Sequence, residues 1–495
     1  MIENLLIGLT TVMDVSNLTF GLLGTILGII IGAIPGLTAT MGVALLVPVT
    51  FVLPPVTGLI MLSGIYCGAI YGGSVSAILL HAPGTPASIC TMKDGYVLTQ
   101  QGRAKEALSL AILASFIGGL LSSISLIFFS PILANFALKF GPFEYFALCI
   151  FGMSMIITIS SDDVVKGIIS GLIGLLIATI GTDPARGFPR YYFGVMNIYS
   201  GLELVPVLIG LFALPEAFKL IIQGGTDKRE IGKLKGRLLP PFKELLKRWF
   251  LFIKSSIIGV FIGIIPAIGP VVAPFVSYNE AQRTSKEPDS FGKGNIDGII
   301  ASEAANNGVT GASLIPLITL GIPGSAVAAV FLGGLTIHGL RPGPMLFVRN
   351  PEVVYGLLVG FLIVNIFMFI AGLSGARIFA KVSQLPTSII ASFIILFSML
   401  GSFAIRNSVF DIGIVLFFGV VGYLISRLNF APGPIVLGLV LGPLLENNLI
   451  QSLQLARGSI LPFITRPITV LFLLLSIASI VFSFINIRKK RKKAN

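Results

Sequence analysis

Gly28-Ile-Ile-Ile-Gly32-Ala-Ile-Pro35 decides how the rest of the chain is read, because it returns 231 positions later as Gly259-Val-Phe-Ile-Gly263-Ile-Ile-Pro266. In both copies an apolar stretch of helix length runs into a proline-rich break. Proline removes a backbone donor and clashes with the preceding turn, while glycine lets the chain turn and restart. In a bilayer the freed backbone groups are tolerated only where protein or a water-filled cavity covers them. Spans interrupted at matching places in two halves of a chain are the sequence mark of a solute transporter.

The bulk numbers agree. The chain has 495 residues, 55% of them hydrophobic and 11% charged, with a mean hydropathy of +0.97. A soluble domain carries about 25% charged residues. About ten to twelve stretches approach the roughly 20 apolar residues that a span requires. The expected fold is an all-α polytopic membrane protein, built as two inverted repeats with broken helices or re-entrant hairpins. The N-terminus has no basic n-region or cleavage site, so the chain is expected to be unprocessed. Cys67, Cys90 and Cys149 show neither metal spacing nor an obvious pairing, and no cofactor or metal is expected.

The net charge of +13 does not point to nucleic acid. Nine basic residues lie in the segment 223–254, and the tail is Arg488-Lys-Lys-Arg-Lys-Lys493. Both flank apolar spans, as cytoplasmic membrane flanks do. No Lys or Arg precedes Lys93, which favours an outside N-terminus and an odd number of crossings before the basic loop. Two further anchors keep the order of the repeat. Pro83-Gly84-Thr85 returns as Pro323-Gly324-Ser325, and the Pro206, Gly210, Leu211, Pro215 spacing returns at Pro434, Gly438, Leu439, Pro443. The expected organisation is an N-terminal repeat over 1–222, a basic cytoplasmic linker over 223–254 and a C-terminal repeat over 255–455. An extra span over 465–487 and a basic cytoplasmic tail over 488–495 follow.

Three groups of residues could carry chemistry. Pro35, Gly36, Thr38 and Thr40, with Pro266 and Gly269 in the second copy, would end one half-helix and start another. A half-helix starting there aims free N–H groups into the gap, which suits a carboxylate. Gly73, Ser74, Pro83, Gly84 and Thr85 form the second group, with the counterparts Asn306, Asn307, Thr310, Ser313, Pro323, Gly324 and Ser325. Amides and hydroxyls among glycines strip water from a polyanion without fixed charge. The bland alternatives are a proline kink, a loop or a small-residue helix interface. Glu303 is the third, a candidate for ion coupling, since an acid near the membrane interior is costly and usually functional. Asp94, in Lys93-Asp94-Gly95-Tyr96, is expected in a hydrophilic turn, and Arg186, Arg190 and Arg341 as loop or interface charges.

Enzymatic readings fare poorly: the chain has no His-Glu-x-x-His, Walker A or Rossmann glycine pattern. Its two histidines, His81 and His338, leave an intramembrane hydrolase using Ser313 as a remote rival. A passive anion channel is the rival among membrane proteins.

At these residues the sequence resembles the large membrane subunit of the tripartite tricarboxylate transporter family. The matching blocks are Gly32-Ala-Ile-Pro-Gly-Leu-Thr-Ala-Thr, Tyr71-Gly-Gly-Ser, Pro83-Gly-Thr-Pro-Ala-Ser and Asp94-Gly-Tyr with Gln101-Gly-Arg-Ala. Ser302-Glu-Ala-Ala-Asn-Asn-Gly-Val-Thr-Gly, Leu320-Gly-Ile-Pro-Gly-Ser and Gly339-Leu-Arg-Pro-Gly-Pro complete the set, which runs from about residue 15 to about residue 460. The resemblance implies a secondary transporter of a prokaryotic cytoplasmic membrane. It implies import of citrate or another carboxylate with H⁺ or Na⁺, alongside a small four-helix membrane subunit and an extracytoplasmic solute-binding protein. Carried over, the two Pro-Gly regions and the Asn306-Asn307 run are the implied substrate and ion site.

Overall fold

The computed structural model describes residues 2–159, 164–224, 240–265, 269–382 and 385–494. The fold is all-α. Among the described residues the only sheet is a two-residue hairpin pairing Gly181–Thr182 with Pro189–Arg190. Among the described residues eight helices are long and apolar enough to cross a membrane: Val15–Ala33, Pro55–Leu80, Ala104–Ala137, Leu204–Ile222, Pro351–Gly375, Thr387–Arg406, Val409–Arg427 and Pro432–Leu455. Other apolar helices are shorter, since the breaks cut the sequence into pieces such as Ala39–Thr50, Trp249–Ile264 and Ala326–Ile337. A 12-residue helix rises only about 18 Å, short of the roughly 30 Å hydrocarbon thickness. The extra C-terminal helix begins at Pro467, where Arg466 and Thr469 bond Glu144 and Phe472 packs on Phe140.

The first break follows the chemistry of its residues. Ile34 is extended, Gly36 takes φ +89°, and Thr38 caps the Ala39–Thr50 helix by accepting from Met41 N at 3.2 Å. A positive φ there is open to glycine at little cost. The helix Pro55–Leu80 ends with His81 at φ 55°, and the helix Leu314–Leu320 ends with Gly321 at φ 75°. These two left-handed caps sit at the same place in the repeat, each followed by a Pro-Gly loop.

Small residues set the helix packing. A Cβ on Gly28 or Gly32 would collide with the backbone of Ile65 or Ala69, so Val15–Ala33 lies directly against Pro55–Leu80. In the second half Gly259 and Gly263 meet Ala305 and Val309 in the same manner, bringing Trp249–Ile264 against Ile296–Ala312. Such contacts replace the hydrophobic drive that lipid cannot supply. Pro55–Leu80 is buried from Val56 onward, and Ile296–Ala312 from Gly298 onward. These two helices form the centre, while Thr387–Arg406 and Val409–Arg427 expose Phe393, Leu400 and Phe417 at the periphery.

The central pair runs antiparallel, for Tyr66 meets Ser313 and Ser74 meets Glu303. Ala104–Ala137 and Pro351–Val382 do the same: Phe116 stacks on Phe369 at 4.6 Å and Ser123 meets Asn365 at 3.1 Å. The polar runs Tyr71–Ser76 and Ser302–Ala312 lie within continuous helix, so the breaks fall after them rather than in them.

Candidate functional site

Glu303 lies fully buried on Ile296–Ala312. Ser74 Oγ donates to its Oε1 at 2.6 Å and Ser115 Oγ to its Oε2 at 2.9 Å. Thr91 Oγ1 also donates to Oε1, and lies 2.9 Å from Ser302 Oγ. Three elements therefore converge on one carboxylate: Pro55–Leu80, Ile89–Gln100 and Ala104–Ala137. Among the described residues no lysine or arginine is buried. A buried acid without a cationic partner is costly unless hydrogen bonds, a proton or a cation offset it.

One turn further along the same helix, both polar atoms of the Asn306 and Asn307 side chains are buried and make no hydrogen bond. Asn306 borders Glu303 without reaching hydrogen-bond geometry. Tyr71 Oη and Thr85 Oγ1 are likewise buried and unbonded. Thr85 sits over Gly73, the neighbour of Ser74. Buried polar groups are bonded in more than about nine cases in ten, so this concentration of unbonded amides and hydroxyls makes the place a candidate site for a polar ligand.

A second polar group completes the centre. Tyr66 Oη and Ser313 Oγ lie 3.1 Å apart, and the hydroxyls of Ser313 and Thr310 donate to the carbonyls of Thr310 and Asn307. Ser122 Oγ inserts into the helix ladder, donating to Gly308 O at 2.6 Å and accepting from Ala312 N at 2.9 Å. Pro316, four residues on from Ala312, has no N–H with which to carry the ladder forward. Together they place the helix break at Ser313, between Ile296–Ala312 and Leu314–Leu320.

The Pro-Gly loops close over this centre in matching seats. Gly84 packs against Gly32 O and Gly73, and its N–H donates to Gly73 O at 3.3 Å. Gly324 packs against Gly263 O and Ser313 O. Pro83 is half-buried and Pro323 buried. Ser325 Oγ caps Ala326–Ile337 by accepting from Ala328 N at 3.1 Å.

The sequence-derived candidates thus divide. Gly73, Ser74, Pro83, Gly84, Thr85, Glu303, Asn306, Asn307, Thr310, Ser313, Pro323, Gly324 and Ser325 gather on the central helices and their loops. Pro35, Thr38 and Thr40 are half-buried and Gly36 is exposed. The Thr38 hydroxyl already accepts from Met41 N. Pro266 lies outside the described residues, and Gly269 begins the helix Gly269–Thr284. Asp94 is not in a hydrophilic turn: it is fully buried in Ile89–Gln100 and accepts four hydrogen bonds. Arg190 pairs with Glu446 at 2.6 Å and Arg341 is exposed, as interface and loop charges. Ser313 has neither histidine as a partner: His81 stacks on Tyr96 and His338 lies over Gly58.

Sequence reading passes over Tyr66, Thr91, Ser115 and Asn365. Asn365 alone leaves a signal, a single amide inside the apolar helix Pro351–Val382. It is fully buried and donates to Ser123 Oγ and Phe361 O.

Among known proteins, one described as "Uncharacterized 52.8 kDa protein in TAR-I ttuC' 3'region" of Agrobacterium vitis is 37% identical over all of this chain and 98% of its own length. An "Uncharacterized protein in TAR-II ttuC' 3'region" of the same organism is 34% identical over 47% of this chain and 97% of its own length. No solved structure matches the chain. The tripartite tricarboxylate transporter TctA family matches residues 18–437, which include every described member of the central cluster. The chain is therefore a multi-pass membrane protein of the tripartite tricarboxylate transporter TctA family, a transporter family rather than a family of enzymes.

Proposed function

We propose that the chain is the large membrane subunit of a secondary active transporter that imports tricarboxylates or related carboxylates, coupled to H⁺ or Na⁺. It works in a prokaryotic cytoplasmic membrane with a small four-helix membrane subunit and an extracytoplasmic solute-binding protein. The observation that carries this reading is the fully buried carboxylate of Glu303, held by three hydroxyls beside the unbonded amides of Asn306 and Asn307.

The roles follow from charge. Glu303 takes up the coupling proton or sodium ion, which offsets a negative charge that the low-dielectric interior penalises. The carboxylate substrate then meets amide and hydroxyl donors at Asn306, Asn307, Thr85 and Ser325, with half-helix N-termini adding partial positive charge. No fixed cation traps it there, so release stays feasible. Substrate without the ion would place like charges together, so binding of the substrate is linked to binding of the ion. Cotransport follows. The two halves act as inverted repeats, a reading supported by the antiparallel run of Pro55–Leu80 against Ile296–Ala312 and by the matching seats of Gly84 and Gly324. Access alternates as the two Pro-Gly loops exchange their closed positions.

Uptake of labelled carboxylates into proteoliposomes holding the reconstituted system, with imposed proton or sodium gradients, tests this. Saturable, gradient-driven uptake is expected. Flux that neither saturates nor responds to any ion gradient would make the protein an anion channel instead.

A further inference from the structure

Asp94 has no part in the proposed binding of substrate or ion, yet it is among the most heavily bonded side chains of the interior. Its Oδ1 accepts from Gly292 N at 2.8 Å, Gly294 N at 2.9 Å and Asn295 N at 2.8 Å. Its Oδ2 accepts from Tyr278 Oη at 2.7 Å. Asn295 is the residue that caps Ile296–Ala312, and a Cβ on Gly298 would collide with Asp94 Oδ2. The carboxylate is therefore wedged under the first turn of the helix that carries Glu303, Asn306 and Asn307.

Asp94 shares its helix with Thr91, one turn earlier, whose hydroxyl donates to Glu303. Ile89–Gln100 thus grips Ile296–Ala312 twice, through Thr91 at the carboxylate and Asp94 at the cap. Lys93 extends the grip, with its ammonium 5.1 Å from the Tyr278 ring centre. In the sequence repeat the place of Asp94 is taken by Gly334, which packs on Leu62. The grip is one-sided.

We propose that Asp94 is a positioning residue: a latch that fixes Ile89–Gln100 on the cap of Ile296–Ala312, and so sets Thr91 against Glu303 and closes one approach to the central polar cluster. Its consequence for uptake rests on the transport reading, but its geometry does not. Releasing the latch frees the short helix to tilt away, removing a hydroxyl from Glu303 and opening the packed layer of Tyr278, Ala281, Phe291 and Ala301 around Cys90.

Cys90 is a natural reporter. It is fully buried one turn before Asp94, and the other two cysteines, Cys67 and Cys149, are buried elsewhere. The experiment is maleimide labelling of the full chain in lipid nanodiscs, with each thiol followed by peptide mapping. In the wild type all three thiols react slowly. In Asp94→Ala the rate at Cys90 rises by about tenfold or more while Cys67 and Cys149 stay slow, as a local opening requires. Asp94→Asn keeps one oxygen for the three backbone donors, so it restores protection to within about threefold of the wild type. Tyr278→Phe, which removes a single bond, falls between the two.

Slow labelling of Cys90 in both Asp94→Ala and Tyr278→Phe overturns the proposal. Equal labelling of all three thiols in Asp94→Ala marks loss of the fold, and Tyr278→Phe then decides: Cys90 faster than in the wild type upholds the latch, and Cys90 unchanged overturns it. Labelling needs no substrate, so its failure strikes the latch alone and leaves the transport reading to the uptake measurements.

Discussion

Ser74 Oγ donates to Glu303 Oε1 across 2.6 Å, joining two helices that occupy equivalent places in the sequence repeat and run in opposite directions. With Tyr66 and Ser313 meeting further along the same crossing, the polar centre of each half is completed by the other. A centre shared in this way would change whenever the two helices moved against each other, which is what the proposed alternating access requires.

Replacing Glu303 by Gln removes the charge and keeps the shape. Glutamine still accepts from Ser74 and Thr91, so the fold is expected to persist and the protein to reach the membrane. Gradient-driven uptake is expected to fall by at least about tenfold, the loss of a coupling free energy of the usual size. Exchange of labelled for unlabelled carboxylate without a gradient is expected to continue. Gradient dependence that survives in Glu303→Gln would remove Glu303 from the coupling role.

Asn306→Ala and Asn307→Ala test the substrate role. Each takes away an amide that makes no hydrogen bond in the protein alone, relieving a desolvation penalty of about 1–3 kcal/mol. The cavity left behind opposes this with a cost of similar size. Thermal stability is therefore expected to change little, while the apparent KM for carboxylate rises by about tenfold. A stability loss with unchanged KM would make both residues packing elements.

How much of this centre can be read in the sequence depends on repetition. Gly84 and Gly324 are legible because each recurs in a Pro-Gly loop at a fixed offset, and their seats against Gly32 and Gly263 reflect that recurrence. Glu303 stands out as the one acid in a run of small, amide and hydroxyl residues that leads into an apolar stretch. Thr91 and Ser115 give no such warning, because a hydroxyl on a membrane helix usually turns back to its own backbone. Only the tertiary crossing aims these two at Glu303. Asp94 misleads for a related reason: Lys93 and Gly95 beside it suggest a turn, and nothing local shows that Gly292–Asn295 would wrap around it. The polar run after Ser302 resembles a loop by composition, but burial among close-packed small residues holds it helical.

Cysteine pairs test the direction of the central helices. In a background free of native cysteines, Tyr66→Cys with Ser313→Cys, and Ser74→Cys with Glu303→Cys, place thiols on partners that hydrogen-bond across the crossing in the native protein. Both pairs are expected to crosslink with copper phenanthroline or a short bifunctional reagent. Tyr66→Cys with Glu303→Cys, and Ser74→Cys with Ser313→Cys, serve as the crossed controls and are expected to fail. The opposite pattern would mean that the two helices run parallel, and the inverted-repeat mechanism would fall with it.

The matched glycine seats make a paired prediction about stability. A side chain at Gly84 would press on Gly32 O, and one at Gly324 on Ser313 O; neither obstacle is a flexible side chain that can swing aside. Overpacking of this kind costs about 1–3 kcal/mol, and more where backbone must move. Gly84→Val and Gly324→Val are each expected to lower the thermal midpoint and to slow uptake, because the loop can no longer seat. A Cβ added to Gly413, on the peripheral helix Val409–Arg427, would meet nothing within 4 Å. Gly413→Val is accordingly expected to leave both measurements close to wild type. If Gly84 and Gly324 tolerate valine as Gly413 does, the two loops are not closing elements, and alternating access through them loses its structural basis.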